Sequence, residues 1–104
     1  MSNQNLFELL TDDPTEYNYW SLKSKLMITT RLIIKEQKIT QSELAEKLGV
    51  SQPRVSNLIN GKIDKFSIDS LLQFLFKLGF SGDIQFDPRN LESPLDFKLR
   101  KAVL

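Results

Sequence analysis

The chain has 104 residues, 40% of them hydrophobic and 26% charged, which suits one soluble domain with a single modest core. It contains no cysteine and no histidine. That excludes a disulfide framework and removes the commonest metal ligand, general base and partner of a nucleophile, so neither an enzyme nor a cofactor is expected.

No apolar run approaches the roughly eighteen residues of a membrane span, and the first residues lack the basic-then-apolar pattern of a secretory signal. Together with the absence of cysteine, this makes a cytoplasmic protein the expectation. Net charge is +1, but it is unevenly placed. Residues 1–20 carry Glu8, Asp12, Asp13 and Glu16 and no base, whereas residues 21–39 carry Lys23, Lys25, Arg31, Lys35 and Lys38 against Glu36 alone. A positive middle beside an acidic arm hints at a polyanion, although the same lysines would serve to solvate a helix.

In chain order, residues 1–16 read as an acidic arm containing LFELL, ending at Asp13-Pro14, where Pro disfavours helix for its predecessor. A long helix is expected from about Thr15 to Gln37. Its apolar residues form three stripes: Leu22, Leu26 and Ile33; Met27 and Ile34; Ile28 and Leu32. Such a helix must bury more than one side, against the arm, the following helices or another subunit.

Thr40-Gln41-Ser42-Glu43 matches a capping box, and the helix it opens runs through Leu44, Ala45 and Leu48 to a left-handed stop at Gly49. Ser51 caps the next helix, Pro53 is tolerated in its first turn, and Asn60-Gly61 ends it. After the loop KIDKF, Ser67 caps a further helix that carries Ile68, Leu71, Leu72, Leu75 and Leu78 and stops at Gly79. DIQFD (83–87) alternates like a single short strand, which needs a partner, for instance the same strand of a second subunit. From Pro94 onward Leu95, Leu99 and Val103 share a helical face, so a terminal helix or a frayed tail is expected.

The stretch TQSELAEKLGVSQPRVSNLINGK (40–62) has the residue classes of a helix-turn-helix at the required spacing. Ala45 must be small where two helices cross, Gly49 takes the tight turn, and Val55 and Leu58 seat the second helix on the first. At about 100° per residue, Val55, Leu58 and Ile59 cluster on one side of that second helix. The opposite side carries Pro53, Ser56, Asn57 and Asn60, flanked by Gln52 and Arg54.

A helix with amides and hydroxyls on its outward face suits base edges. Asn or Gln pairs bidentately with adenine and Arg with guanine. Gln52, Arg54 and Asn57 are the candidates for base contact, with Ser56 for a base or a phosphate. The plainer alternatives are that Gln52 bonds Ser51 in the first turn and that Arg54 reaches a phosphate or a neighbouring carboxylate. Gln41 and Ser42 at a helix N-terminus, and Asn60, Lys62 and Lys65 beyond the reading helix, are candidates for phosphate contact.

These residues resemble the helix-turn-helix of the XRE (lambda-repressor-like) DNA-binding family. The continuation K-I-D-x-F-S-x-D-x-L-L from Lys62, followed by Leu-Gly and a short strand, is similar to HigA-like antitoxins. The resemblance covers about residues 22–87. It implies an all-α, lambda-repressor-like domain of about five helices, with one short C-terminal strand that could pair across a dimer. It further implies a homodimer on a palindromic double-stranded DNA operator, which represses its own operon and neutralises a small RelE-like mRNA-cleaving toxin. The carry-over places DNA contacts on Gln41, Gln52, Arg54, Asn57, Asn60 and Lys62.

The expected organisation is an acidic arm (1–16), a helix-turn-helix domain (17–80) and a strand and tail for dimerisation or partner contact (81–104). A phage- or plasmid-type repressor without a toxin stays open as an alternative. So does an interaction module that does not bind DNA, for which the near-neutral charge speaks.

Overall fold

The computed structural model describes residues 12–102. Its element order is α1 (Pro14–Gln37), α2 (Gln41–Leu48), α3 (Gln52–Ile59), a 3-10 turn (Ile63–Lys65), α4 (Ile68–Lys77), β1 (Phe80–Phe86) and β2 (Leu95–Lys101). The LFELL segment and Val103, which figure in the readings above, lie outside the described residues.

Most helix ends follow the local chemistry of the chain. Asp13 caps α1 by accepting the Thr15 N–H at 2.9 Å, with Pro14 in the first turn. Thr40 and Glu43 form the reciprocal capping box of α2. Ser51 accepts the Arg54 N–H at the start of α3. Ser67 and Ser70 form a second such box at α4.

Helices α2 and α3 end in the same way. Gly49 and Gly61, both at φ of +69°, turn the chain left-handed. Val50 N–H then donates to the Ala45 carbonyl and Lys62 N–H to the Asn57 carbonyl, closing two Schellman turns. A side chain at Gly61 would also fall 2.9 Å from the Arg31 guanidinium.

The core lies where α1, α2, α3 and α4 meet. Leu44, Leu48, Val55, Leu58, Leu71 and Leu75 are fully buried, joined by Leu26, Met27, Ile34, Phe66 and Phe74. Helices of eight residues are not stable alone in water, so α2 and α3 owe their helicity to this burial. Of the three apolar stripes of α1, the one carrying Met27 and Ile34 is buried and the one with Leu22, Leu26 and Ile33 is partly covered. The third, Ile28 and Leu32, is exposed.

The C-terminal region corrects two expectations. β1 begins at Phe80 rather than Asp83, and its partner is β2 of the same chain, paired antiparallel from Phe80↔Lys101 to Phe86↔Leu95. The residues from Leu95 form this strand rather than a helix or a frayed tail. Leu95 and Leu99 are four apart, a spacing that fits either a helix face or every second strand position. Phe97 between them, in L-D-F-K-L, completes the period of two that belongs to a strand. Among the described residues the fold is therefore four α-helices with a two-stranded antiparallel sheet, mostly helical as expected, with a second strand where a helix or tail was expected.

Candidate nucleic-acid interface

Helix α3 is held by its apolar side and presents its polar side outward. Val55 and Leu58 are buried, Ile59 is half-buried, and Gln52, Pro53 and Asn60 are exposed, with Arg54, Ser56 and Asn57 half-buried. The side-chain amides of Gln52 and Asn57 make no hydrogen bond among the described residues, so both are unengaged. The Ser51 hydroxyl goes to the Arg54 amide, not to Gln52.

Ser56 and Asn60 are linked, one turn apart. The Asn60 amide donates to the Ser56 hydroxyl at 3.3 Å. Such an exposed bond opens at little cost and leaves both groups able to turn to a ligand.

Arg54 is engaged differently from either role expected of it. Its guanidinium stacks over the Phe66 ring, with Cζ 4.5 Å from the centroid, and Nη1 donates to the Lys65 carbonyl at 3.3 Å. Phe66 in turn packs edge-on against Phe74. Arg54 thus ties α3 to the 3-10 turn and sets the position of the segment carrying Lys62 and Lys65, both exposed. The remaining guanidinium N–H groups have no protein acceptor among the described residues.

Gln41 and Ser42 lie in the exposed first turn of α2. Here Thr40 N–H donates to Glu43 Oε1 at 3.0 Å, and Glu43 N–H donates to Thr40 Oγ1 at 3.1 Å. The bonds from the Thr40 backbone N–H, and secondarily from its side chain, favour the carboxylate and hold Glu43 below its ordinary value of 4.5. A lowered folded-state pKa means that stability is gained on ionisation. The contribution is complete above the ordinary value and disappears as pH falls through the depressed one. We expect the Glu43 carboxyl resonance in an NMR titration to have its midpoint below 4.5, and Thr40→Ala to move it up towards that value. An unmoved midpoint would show that the box does not persist in solution.

Residues 9–86 match the helix-turn-helix domain family. The chain is also similar to a solved structure described as an XRE family transcriptional regulator. The two share 30% identity with a TM-score of 0.60, over 69% of this chain and 83% of that one. The chain belongs to the XRE helix-turn-helix family. Among curated proteins none matches it.

Within this XRE-family chain, two positioning residues escape the motif altogether. Arg31 of α1 donates from Nε to the Ile59 carbonyl at 3.0 Å, and Lys77 of α4 donates from Nζ to the Leu48 carbonyl at 2.9 Å. Each brings a cation to the C-terminal end of one helix of the motif, where free carbonyls and the helix dipole favour positive charge. In the sequence both look like solvating charges. Their partners lie 28 and 29 positions away, and the one local signal is that Arg31 falls beside the Ile28–Leu32 stripe.

Arg31, Arg54, Lys62 and Lys65 together place positive charge around α3, offset locally by Asp64. Among the described residues no cluster of potential metal ligands occurs, and no helix is long and apolar enough to cross a membrane.

Proposed function

We propose that the protein is a cytoplasmic, sequence-specific DNA-binding transcriptional repressor acting as a homodimer, with α3 read into the major groove. The observation that carries this reading is the outward face of α3, where Gln52 and Asn57 hold unengaged amides on a helix fixed from behind by Val55 and Leu58. Amides in that position match the N6/N7 edge of adenine. Ser56 and the free N–H groups of Arg54 add base or phosphate donors alongside. Gln41, Ser42, Asn60, Lys62 and Lys65 would then flank the groove edge and set register on the phosphates.

We further propose that it is the antitoxin of a type II toxin-antitoxin pair, repressing its own operon and neutralising a small RelE-like mRNA-cleaving toxin. The support is the run from Lys62 to Leu72. Its Phe66 fills the core, its Ser67 caps α4, and its Leu71 is fully buried. It is the pattern of this run in the sequence, K-I-D-x-F-S-x-D-x-L-L, that is similar to HigA-like antitoxins.

A gel shift with the DNA upstream of the gene, titrated with salt, tests the first part. Affinity should fall steeply as salt rises, because each neutralised phosphate releases counterions. Failure to bind that DNA even at low salt would refute it. Lys62→Ala should weaken specific and nonspecific sites alike and lower the salt slope by about one unit. Co-purification of the neighbouring gene's product on co-expression tests the antitoxin role, and a neighbour that neither binds nor arrests growth would leave a repressor without a toxin.

A further inference from the structure

The β1–β2 hairpin has two unlike faces. Its register places Phe80, Ile84, Phe86, Leu95, Phe97 and Leu99 on one face. The other is polar and carries the Asp83–Arg100 and Asp96–Lys98 ion pairs at 3.5 and 3.8 Å. The base of the apolar face meets α1 across an open groove of about 530 Å³, lined by Leu26, Leu32, Ile33, Phe80, Phe97 and Leu99, with Lys25 and Thr29 on its α1 wall. Its outer half is bare, with Ile84 56%, Phe86 68% and Leu95 57% exposed. The bare area continues onto α1 through Leu32 and Ile28, themselves 62% and 53% exposed.

We infer that this band is the surface through which two copies of the chain pair, hairpin to hairpin and over α1. The inference deepens the homodimer of the proposed function and rests on that reading. Three observations favour a second copy.

The first is area. The exposed parts of Ile28, Leu32, Ile84, Phe86, Leu95 and Phe97 amount to roughly 700 Å² of apolar surface, close to the ~800 Å² each partner contributes to a stable complex. The second is charge. A two-fold contact brings a patch against itself, so a patch of one sign repels its copy. On the hairpin, Ile84, Phe86, Leu95, Phe97 and Leu99 are all apolar, and the one charged strand residue of this face, Lys101, lies at its base opposite Phe80. The cations beside Ile28 and Leu32, which are Arg31, Lys35 and Lys38, belong to α1 and its C-cap, so the self-complementary part of the band is the hairpin. The third is that the base of the hairpin packs on α4 and α1, while among the described residues no helix covers its outer half at Ile84, Phe86 and Leu95, where a further apolar layer would stabilise the two-stranded sheet. The hairpin packs on α4, while α3 packs on α2 and α1. Pairing through the hairpin therefore does not use the reading helix.

The test is sedimentation equilibrium of the full chain between 1 and 100 µM, with far-UV circular dichroism on each variant. Wild type should have the mass of two chains. Phe86→Asp should weaken association at least 100-fold with an unchanged helical spectrum, and Gln85→Lys on the polar face should leave the dimer intact. The chain has no cysteine, so Ile84→Cys, Phe86→Cys and Leu95→Cys each introduce a single thiol. With diamide as oxidant, at least one of them should form a disulfide-linked dimer, while Gln85→Cys should not. This measurement decides the matter even if Phe86→Asp unfolds. A wild type of one-chain mass at 100 µM would overturn both the homodimer and this surface. A dimer that survives Phe86→Asp, or that crosslinks only through Gln85→Cys, would overturn the surface alone.

Discussion

Asn57→Ala is expected to lower affinity for the operator by about 10- to 100-fold per half-site while leaving nonspecific binding unchanged. A bidentate amide–adenine pair contributes about 1–3 kcal/mol of discrimination, and about 1.4 kcal/mol corresponds to a factor of ten. In a two-fold complex the loss is incurred twice. The fold asks little of this side chain, which is half-buried but whose amide makes no hydrogen bond among the described residues, and the buried side of α3 belongs to Val55 and Leu58.

Alanine is the better helix former by a few tenths of a kcal/mol, so the melting temperature should hold or rise slightly. Competition gel shifts between operator and random duplex, set beside a thermal melt, read both quantities. Unchanged preference for the operator would remove Asn57 from the reading set, and a large fall in melting temperature would make it a structural residue.

The adjacent position should behave in the opposite way. Leu58 is 1% exposed and sits in the core cluster with Leu44, Leu48 and Val55. Leu58→Ala removes buried methyl groups and leaves a cavity, at a cost of about 2–5 kcal/mol, against a total stability of only about 5–15 kcal/mol for a domain. The melting temperature should drop by about 10 °C or more.

Specific and nonspecific DNA binding should then fall together as temperature rises, since an eight-residue helix loses its form once its packing is gone. Thermal circular dichroism and gel shifts at two temperatures would show this. A cooperative melt at the wild-type temperature would mean that Leu58 does not seat α3. If both results hold, neighbouring residues separate two functions of the helix, reading at Asn57 and holding at Leu58.

Much of this arrangement was legible because its determinants are local. A capping box spans four residues, a Schellman turn six, and a helix-turn-helix about twenty, so Thr40, Glu43, Gly49, Ser51 and Gly61 announce themselves in order along the chain. The buried side of α3 follows from periodicity alone. That the side of α3 turned away from the core carries Gln, Ser and Asn could also be read from the chain, and it is what made these residues candidates for contact.

The stacking of Arg54 was not legible. In the sequence it stands beside Gln52 as an outward donor. The ring it stacks on, Phe66, is twelve positions away in a loop whose apolar residues show no period. The strand pair failed for a related reason, because a spacing of four between Leu95 and Leu99 fits both periods, and pairing with β1 depends on partners that run from Phe86 opposite Leu95 back to Phe80 opposite Lys101, across the intervening loop.

The sequence by itself determined where each helix begins and ends, which side of α3 is buried, and that the chain carries a helix-turn-helix, because short-range hydrogen bonds and apolar period are written in neighbouring residues. The tertiary structure alone decided that Arg31 and Lys77 cap α3 and α2, that Arg54 clamps the turn through Phe66, and that DIQFD pairs within its own chain. Each of these contacts joins segments far apart in sequence, and no local pattern records which distant partner the packing of the core will bring within reach.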